Sequence, residues 1–276
     1  MVNSQRIKTA LETLRSLSDE PFPHGQITTT TIEVFDCLTS TNQTLWSLLQ
    51  RQESAKVVIA QQQTAGKGQW GRQWQSELGG LYLSLGLNCT LTIDQQAQLT
   101  MASAWGIANQ LREFGVPVQL KWPNDLILNR RKLGGILTET KVHQAEITQA
   151  VVGVGLNWSN SVPPTGINLQ SFLTTSVEPA KIQSIEFLAA LVIYGLERGL
   201  QQIIYGRICT LLKNYGSLLT HLGHPVEIEG HAGRVVGVTT TGELRVQLNS
   251  GASSTNREIV VKPGTISLGY DSSGLI

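Results

Sequence analysis

The chain has 276 residues, 41% hydrophobic and 15% charged, which is enough apolar material for a sizeable core and excludes a disordered polymer. Its net charge of +1 and pI near 7.8 exclude a general field for nucleic acid, so an anionic ligand must be drawn by a local cluster of cations. Cys37, Cys89 and Cys209 have no C-x-x-C spacing and read as free thiols in a reducing compartment.

The N-terminus lacks a basic segment leading into a long apolar run, which argues against a secretory signal. The longest strongly apolar helix candidate, Phe187 to Leu196, is far short of the ~20 residues a membrane span needs. A cytoplasmic location is expected. The length suits one large and one small domain.

In chain order, residues 5–17 form a short amphipathic helix through Ile7, Leu11, Leu14 and Leu17, ended by Pro21-Phe22-Pro23. Thr28 to Phe35 reads as a strand. Ser40 with Gln43 three residues later makes a capping box leading into a helix over Thr44 to Gln50. On these residues alone, Ser40, Thr41 and Asn42 need do no more than cap.

Val57 to Ala60 and Leu81 to Leu87 both read as strands. Between them, Gly66, Gly68 and Gly71 free the backbone to turn N–H groups toward one point, and Lys67 and Arg72 bring positive charge to it. That pattern describes an anion site. Gly66-Lys67-Gly68-Gln69-Trp70-Gly71 matches the dinucleotide fingerprint in spelling, but a strand follows where that motif needs a helix. A Walker A sequence is absent, and so are the H-R-D and D-F-G of protein kinases. A plain hairpin with three turn glycines and two solvated cations stays open.

Asp94 can cap a helix running to Phe114, stopped by Gly115 and Pro117. Val118 to Lys121 reads as a strand, Pro123 pushes Trp122 toward an extended conformation, and Asn124-Asp125 suits a turn into Leu126-Ile127-Leu128. Lys132 follows in a hairpin where a lysine is commonly just solvated. Residues 184–214 look helical, with interruptions at Gly195, Gly199 and Gly206. From Pro225 the runs VEIE, RVVGV, ELRVQL and EIVV recur between glycine-containing turns, the pattern of a small all-β barrel.

Four stretches, GKGQWGRQW, KWPND, KLGGIL and GVGLN, occur in this order, the last ending at Asn157. Together they resemble the biotin protein ligases, and the tail after Leu222 resembles that family's C-terminal barrel. The resemblance implies an α+β fold with a largely antiparallel sheet of the class II synthetase-like kind, followed by an SH3-like barrel. It divides the chain into an N-terminal helical extension at 1–27, a catalytic domain at 28–221 and the barrel at 222–276. Some members carry a DNA-binding winged helix. Roughly thirty residues precede the first catalytic strand here, too few for that module by helix-length norms, so none is expected.

The implied reaction has two steps: biotin and Mg-ATP give biotinyl-adenylate and pyrophosphate, then an acceptor lysine of a biotin carboxyl carrier protein takes the biotin and AMP leaves. The resemblance assigns Ser40, Thr41 and Gln63 to the ureido end of biotin and places Asn42 in the same pocket. It assigns Gly66, Trp74, Leu81, Gly134, Gly135, Ile136, Gly153 and Gly155 to biotin's remaining surface. ATP and the adenylate fall to Lys67, Gly68, Arg72, Lys121, Trp122, Asn124, Asp125, Lys132 and Asn157. Lys132, Arg72 and Lys67 carry the catalytic role, since a carboxylate attacking a phosphoryl group brings two negative groups together and cations stabilise that transition state. Ile167 to Leu169 lie nearest to the segment that contacts adenine in the family. Mg²⁺ is expected with the nucleotide, without a permanent metal site, and a homodimer is compatible with the family.

A lipoate ligase would share the fold and the adenylation chemistry, but its arginine-plus-GGG loop is absent while KWPND is present. A non-catalytic biotin-binding module is the rival of another kind. One departure stands out: the family's loop usually reads G-R-G-R-x-G-R, whereas here Lys67 and Gln69 stand where two of the arginines belong. The loop therefore has one cation fewer and a weaker hold on the adenylate is implied.

Overall fold

The structure, a computed structural model, describes residues 2–17, 31–50, 57–176, 181–249 and 257–270. The expected break at Pro21-Phe22-Pro23 and the start of the strand from Thr28 lie outside them. A seven-stranded sheet carries the architecture. In spatial order it runs β1 (Ile32–Leu38), β2 (Val57–Gln63), β3 (Gly80–Thr92), β7 (Glu146–Asn157), β6 (Arg131–His143), β5 (Asp125–Leu128) and β4 (Gln119–Lys121). β1 and β2 pair in parallel, and every other neighbouring pair is antiparallel, as the α+β reading expects.

Side-chain alternation decides what each face of this sheet does. On β3, Leu81, Leu83, Leu85 and Leu87 enter one core cluster, and on β7 Val152, Val154 and Leu156 join them. That face is roofed by α1 (Ser4–Ser16), α3 (Gln96–Glu113), α5 (Ile185–Ile204) and α6 (Ile208–Ser217), whose buried residues belong to the same cluster. The opposite face is only partly covered. There α2 (Thr41–Gln50) sets Leu45 and Leu49 against Val58 and Val151. Two positions further along β7, on the same face, come Gly153 and then Gly155, where the sheet has no side chains and a cavity opens.

Asn3 caps α1, its Oδ1 accepting from the N–H groups of Gln5 and Arg6, and Ile7, Leu11 and Leu14 are buried beneath the helix. The entry to α3 differs from expectation. Thr92, not Asp94, begins it: the Thr92 N–H donates to Gln95 Oε1 at 2.9 Å, and a 3-10 turn at Ile93–Gln95 precedes the helix. The helix reading at 184–214 also needs correction. α5 runs unbroken through Gly195 and Gly199, and the chain turns only at Gly206, where φ is +65°. A Cβ on Gly195 would lie 2.7 Å from the Gly106 carbonyl oxygen, and one on Gly199 would collide with that of Ala102. The glycines thus let α3 and α5 cross backbone to backbone, a tertiary reason that overrides their poor helix propensity. At 20 residues, α5 is long and apolar enough to cross a membrane by composition, longer than the stretch expected from sequence, but 83% of that window is buried inside the protein.

The C-terminal strands are β8 (Pro225–Ile228), β9 (His231–Val238), β10 (Leu244–Leu248) and β11 (Glu258–Val261), an antiparallel sheet in the order β11-β10-β9-β8. This small sheet is fastened to the large one. Val235, Leu244 and Val246 share the main core cluster, Trp122 Nε1 donates to the Gly242 carbonyl at 2.8 Å, and Gln98 Nε2 donates to that of Thr240 at 3.1 Å. α4 (Leu169–Thr175) follows the loop over the end of β7 and is capped by Asn168.

Candidate active site

The cavity on the open face has a volume of about 710 Å³. Its inner end is neutral and its hydrogen bonds are largely internal. Gln63, at the end of β2, accepts at Oε1 from the Thr41 N–H (2.8 Å) and Thr41 Oγ1 (3.2 Å), and its Nε2 donates to Ser76 Oγ at 2.8 Å. Ser84 Oγ lies 2.7 Å from Thr41 Oγ1 and 2.6 Å from Asn42 Oδ1. Asn42 Nδ2 then donates to Glu139 Oε2 at 2.8 Å, and Trp46 Nε1 donates to the same oxygen at 3.1 Å. Ser40, Thr41, Asn42 and Ser84 are all buried. A buried network with its partners made is rigid, so these groups present a fixed pattern of donors and acceptors.

Gly153 and Gly155 form the floor because neighbouring side chains occupy the space above them. A Cβ on Gly153 would collide with the Asn42 amide, and one on Gly155 would lie 2.5 Å from Trp74 Nε1. Trp74 comes off the returning arm of the glycine-rich hairpin, whose base is closed by Trp74 N–H to Gly66 O at 2.9 Å. Gly68 N–H donates to Arg72 O at 2.7 Å, and a 3-10 turn at Gln69–Gly71 forms the tip, with φ of +53° at Trp70 and +73° at Gly71. No helix follows the glycines, which disposes of the dinucleotide reading. Gln69 Oε1 and Trp74 Nε1 are buried in the cavity lining without a protein partner, an arrangement that favours a ligand with complementary polar atoms.

The other end is cationic. Lys67, Arg72, Lys121 and Lys132 line it, and Asp125 is the acidic residue among the lining side chains. Lys132 Nζ pairs with Asp125 Oδ1 at 2.6 Å and lies 5.3 Å from the Trp74 ring centre. Lys121 Nζ sits 3.9 Å from the ring centre of Tyr270. Burial lowers the Lys121 pKa from its ordinary value, the positive charges of Lys132 and Arg72 lower it further, and Asp125 opposes them. An anion entering here relieves that repulsion.

Backbone anchors set this cluster in place. Tyr215, fully buried, donates its hydroxyl to Pro123 O at 2.9 Å, and burial raises its pKa far above the ordinary value. Asn124 Nδ2 donates to Ile136 O at 2.7 Å, and Ile136 N–H donates back to Asn124 O at 3.0 Å. Asn157 Nδ2 reaches Ile167 O at 3.3 Å and Lys132 O at 3.4 Å, tying β6 to the loop beyond β7. Among the described residues, no three His, Cys, Asp or Glu side chains come together as a metal site.

Most of the residues singled out from sequence converge on this cavity. Of the residues assigned to biotin or the nucleotide, three do not line it. Leu81 faces the helix layer with Leu83 and Leu85, because alternation on β3 gives the cavity face to Tyr82, Ser84 and Gly86. Gly134 pairs with Leu156 and shares its side of the sheet, whereas Gly135 pairs with Gly155 on the cavity side. Gly66 is packed in the hairpin base, where a Cβ would lie 2.5 Å from Ser76 Oγ and from Trp74 O. Ile136 borders the cavity, but its side chain belongs to the core. Ile167 and Leu169 are buried in the core too; Ser161, Val162, Pro163, Thr165 and Gly166 form that wall instead.

Sequence reasoning missed Ser84 and Glu139, which fix Thr41 and Asn42, and the segment Gly264 to Leu268, which closes one side of the cavity. A signal for Ser84 existed: it is the polar residue in the otherwise apolar alternation LYLSLGL. Nothing local marks the C-terminal wall.

Residues 34–157, which contain the hydrogen-bonded end, the floor and the cationic cluster, match the Biotin/lipoate A/B protein ligase family. The "Bifunctional ligase/repressor BirA" of Salmonella typhimurium is 30% identical over 207 residues, covering 74% of this chain and 64% of that protein. The protein of the same name from Bacillus subtilis is 34% identical over 125 residues, 44% of this chain and 38% of its own. The "Biotin--[acetyl-CoA-carboxylase] ligase" of Paracoccus denitrificans is 31% identical over 121 residues, 43% of this chain and 50% of its own. The chain therefore spans between 38% and 64% of the length of these relatives. Among solved structures, the biotin protein ligase of Aquifex aeolicus in complex with biotin and ATP shares the fold. Its TM-score is 0.65 at 22% identity, with 84% of this chain and 96% of that one covered.

Proposed function

We propose that the chain is a biotin protein ligase, which activates biotin with ATP and passes it to a lysine of a biotin carboxyl carrier protein. The observation that carries this reading is the continuity of one cavity from a fixed, neutral hydrogen-bonding end to a cationic end, with a side-chain-free floor between. A bicyclic urea with an apolar chain and a terminal carboxylate has the polarity this cavity calls for.

In the proposed reaction, Thr41, Asn42 and Gln63 hold the ureido ring, with Ser40 beside them. Trp74 and the glycine floor take the apolar part, and Gly135 leaves space beside Lys132. A carboxylate oxygen of biotin attacks the α-phosphorus of ATP, and the bond to pyrophosphate breaks. Lys132 is next to the point where the two negative groups meet, and Lys67, Arg72 and Lys121 meet the phosphates. In the second step the neutral amine of the acceptor lysine attacks the acyl carbon. AMP leaves with the bonding pair, and the amine loses a proton. No side chain of the chain is acylated. Orientation and exclusion of water from the anhydride do the rest. Mg²⁺ would arrive with ATP, held mainly by the phosphates, and would neutralise part of their charge. Cys37, Cys89 and Cys209 are all free thiols, which supports a cytoplasmic setting.

The test is biotin-dependent pyrophosphate release, followed by transfer of label to a biotin carboxyl carrier domain. Release with biotin and not with lipoate is expected. Release with lipoate alone assigns the lipoate branch of the same family, and binding of biotin without release assigns a non-catalytic module.

A further inference from the structure

Tyr270 stands outside the motifs and outside the cavity wall. Its hydroxyl donates to Asp125 Oδ2 at 3.2 Å, while the other oxygen of the same carboxylate pairs with Lys132 at 2.6 Å. Its ring lies 3.9 Å from the Lys121 ammonium. One side chain thereby touches the partner of one cavity lysine and the other lysine directly. The segment that delivers it is anchored along its length. Gly264, φ +89°, leaves space for the Trp70 indole at the tip of the glycine-rich hairpin, residues 264–268 line the cavity, and Gly269 shares a backbone hydrogen bond with the buried His221 ring.

We propose that Tyr270 is a positioning residue for adenylation. It fixes Asp125 so that this carboxylate aims Lys132, and it holds Lys121 in line by its ring face. The chemistry is direct. A carboxylate with one oxygen tied to a hydroxyl keeps a single orientation, and its second oxygen then fixes the ammonium in the cavity. An ammonium over an aromatic face recovers part of the hydration lost on burial, so Lys121 stays charged and in place. Gly135 borders the pair: a Cβ there would lie 3.4 Å from Asp125 Oδ1 and 3.6 Å from Lys132 Nζ, ordinary contact distances. The segment 264–270 is thus a component of the reacting end, and not only a cover over it.

This inference rests on the proposed ligase reaction, and its test separates the two. Wild type, Tyr270→Phe and Tyr270→Leu are compared for biotin-dependent pyrophosphate release, ATP KM and equilibrium binding of biotin. Tyr270→Phe keeps the ring and loses the hydroxyl, so kcat is expected to fall roughly three- to tenfold with ATP KM little changed. Tyr270→Leu loses both, so kcat falls further and ATP KM rises by about threefold or more. Biotin affinity stays within about twofold of wild type in both, because Tyr270 does not reach the neutral end. Wild-type kinetics in Tyr270→Leu overturn the assignment, as does a parallel loss of biotin affinity in Tyr270→Phe, which indicates a merely structural role. Absence of pyrophosphate release from the wild type itself overturns the ligase reading, and this inference with it.

Discussion

The Trp74 indole lies where a side chain on residue 155 would be: a Cβ on Gly155 would come within 2.5 Å of Trp74 Nε1. The wall and the floor of the cavity are therefore one fitted pair. Gly155→Ala forces the indole to move, an overpacking cost of about 1–3 kcal/mol. The expected outcome is a lower denaturant midpoint together with weaker biotin binding by calorimetry. Unchanged biotin affinity in a destabilised variant would show that Trp74 is not a wall of the biotin site.

Lys132→Met tests the cation nearest to the reacting groups. Loss of a hydrogen bond to a charged group is expected to cost about 1.5–3 kcal/mol in adenylate formation, with far less effect on equilibrium biotin binding. Asp125 keeps its Tyr270 hydroxyl in this variant. Pyrophosphate release and biotin titration on one preparation make the comparison. Equal losses in both move Lys132 from catalysis to binding, and an unchanged rate removes it from both.

Gln69 Oε1 is buried without a protein partner, and the side chain lines the cavity. A neutral amide holds a phosphate less strongly than a guanidinium does. Gln69→Arg is expected to slow the escape of preformed biotinyl-adenylate in a chase experiment, with biotin affinity nearly unchanged. Equal or faster escape would mean that retention depends on Lys67, Arg72 and the hairpin alone.

His221 gives the fold an acid-sensitive point. Burial pushes its pKa below the ordinary histidine value near 6.5, the charges of Lys121 and His224 push the same way, and the hydrogen bond to Gly269 opposes them. Below about 6.5 the unfolded chain binds a proton that the folded chain refuses, so this contribution to stability is lost as pH falls. Denaturant midpoints at pH 7.5 and 5.5 are expected to drop on the acid side, and His221→Gln is expected to flatten the drop. A slope unaltered by the substitution assigns it to other groups.

The order of the motifs carried much of the site into view from sequence, since residues near Ser40, Gln63, Trp74, Lys132 and Gly155 all reach one cavity. What failed was facing. Gly134 sits inside a motif and Leu81 opens the strand that follows one, yet a one-residue step in a strand turns a side chain to the other layer, and nearness to a motif carries no such parity. Gly195 and Gly199 read as breaks because propensity is local, while the carbonyls they accommodate belong to another helix. The contribution of Tyr270 is invisible in sequence for a similar reason: its partner Asp125 is 145 residues away.

The backbone-close crossing of α3 and α5 bears on how the site can drift without losing its contacts. Those helices press on β3, β6 and β7 from behind. Gly106, Gly195 and Gly199 set the thickness of that layer, and the layer backs Val152 and Val154, which alternate with the floor glycines. A single methyl added at the crossing must push the helices away from each other, and the strand they support carries the displacement through to Gly153 and Gly155. Ligand affinity is thereby exposed to variation on the far side of the sheet, at positions that a survey of the cavity lining would pass as silent.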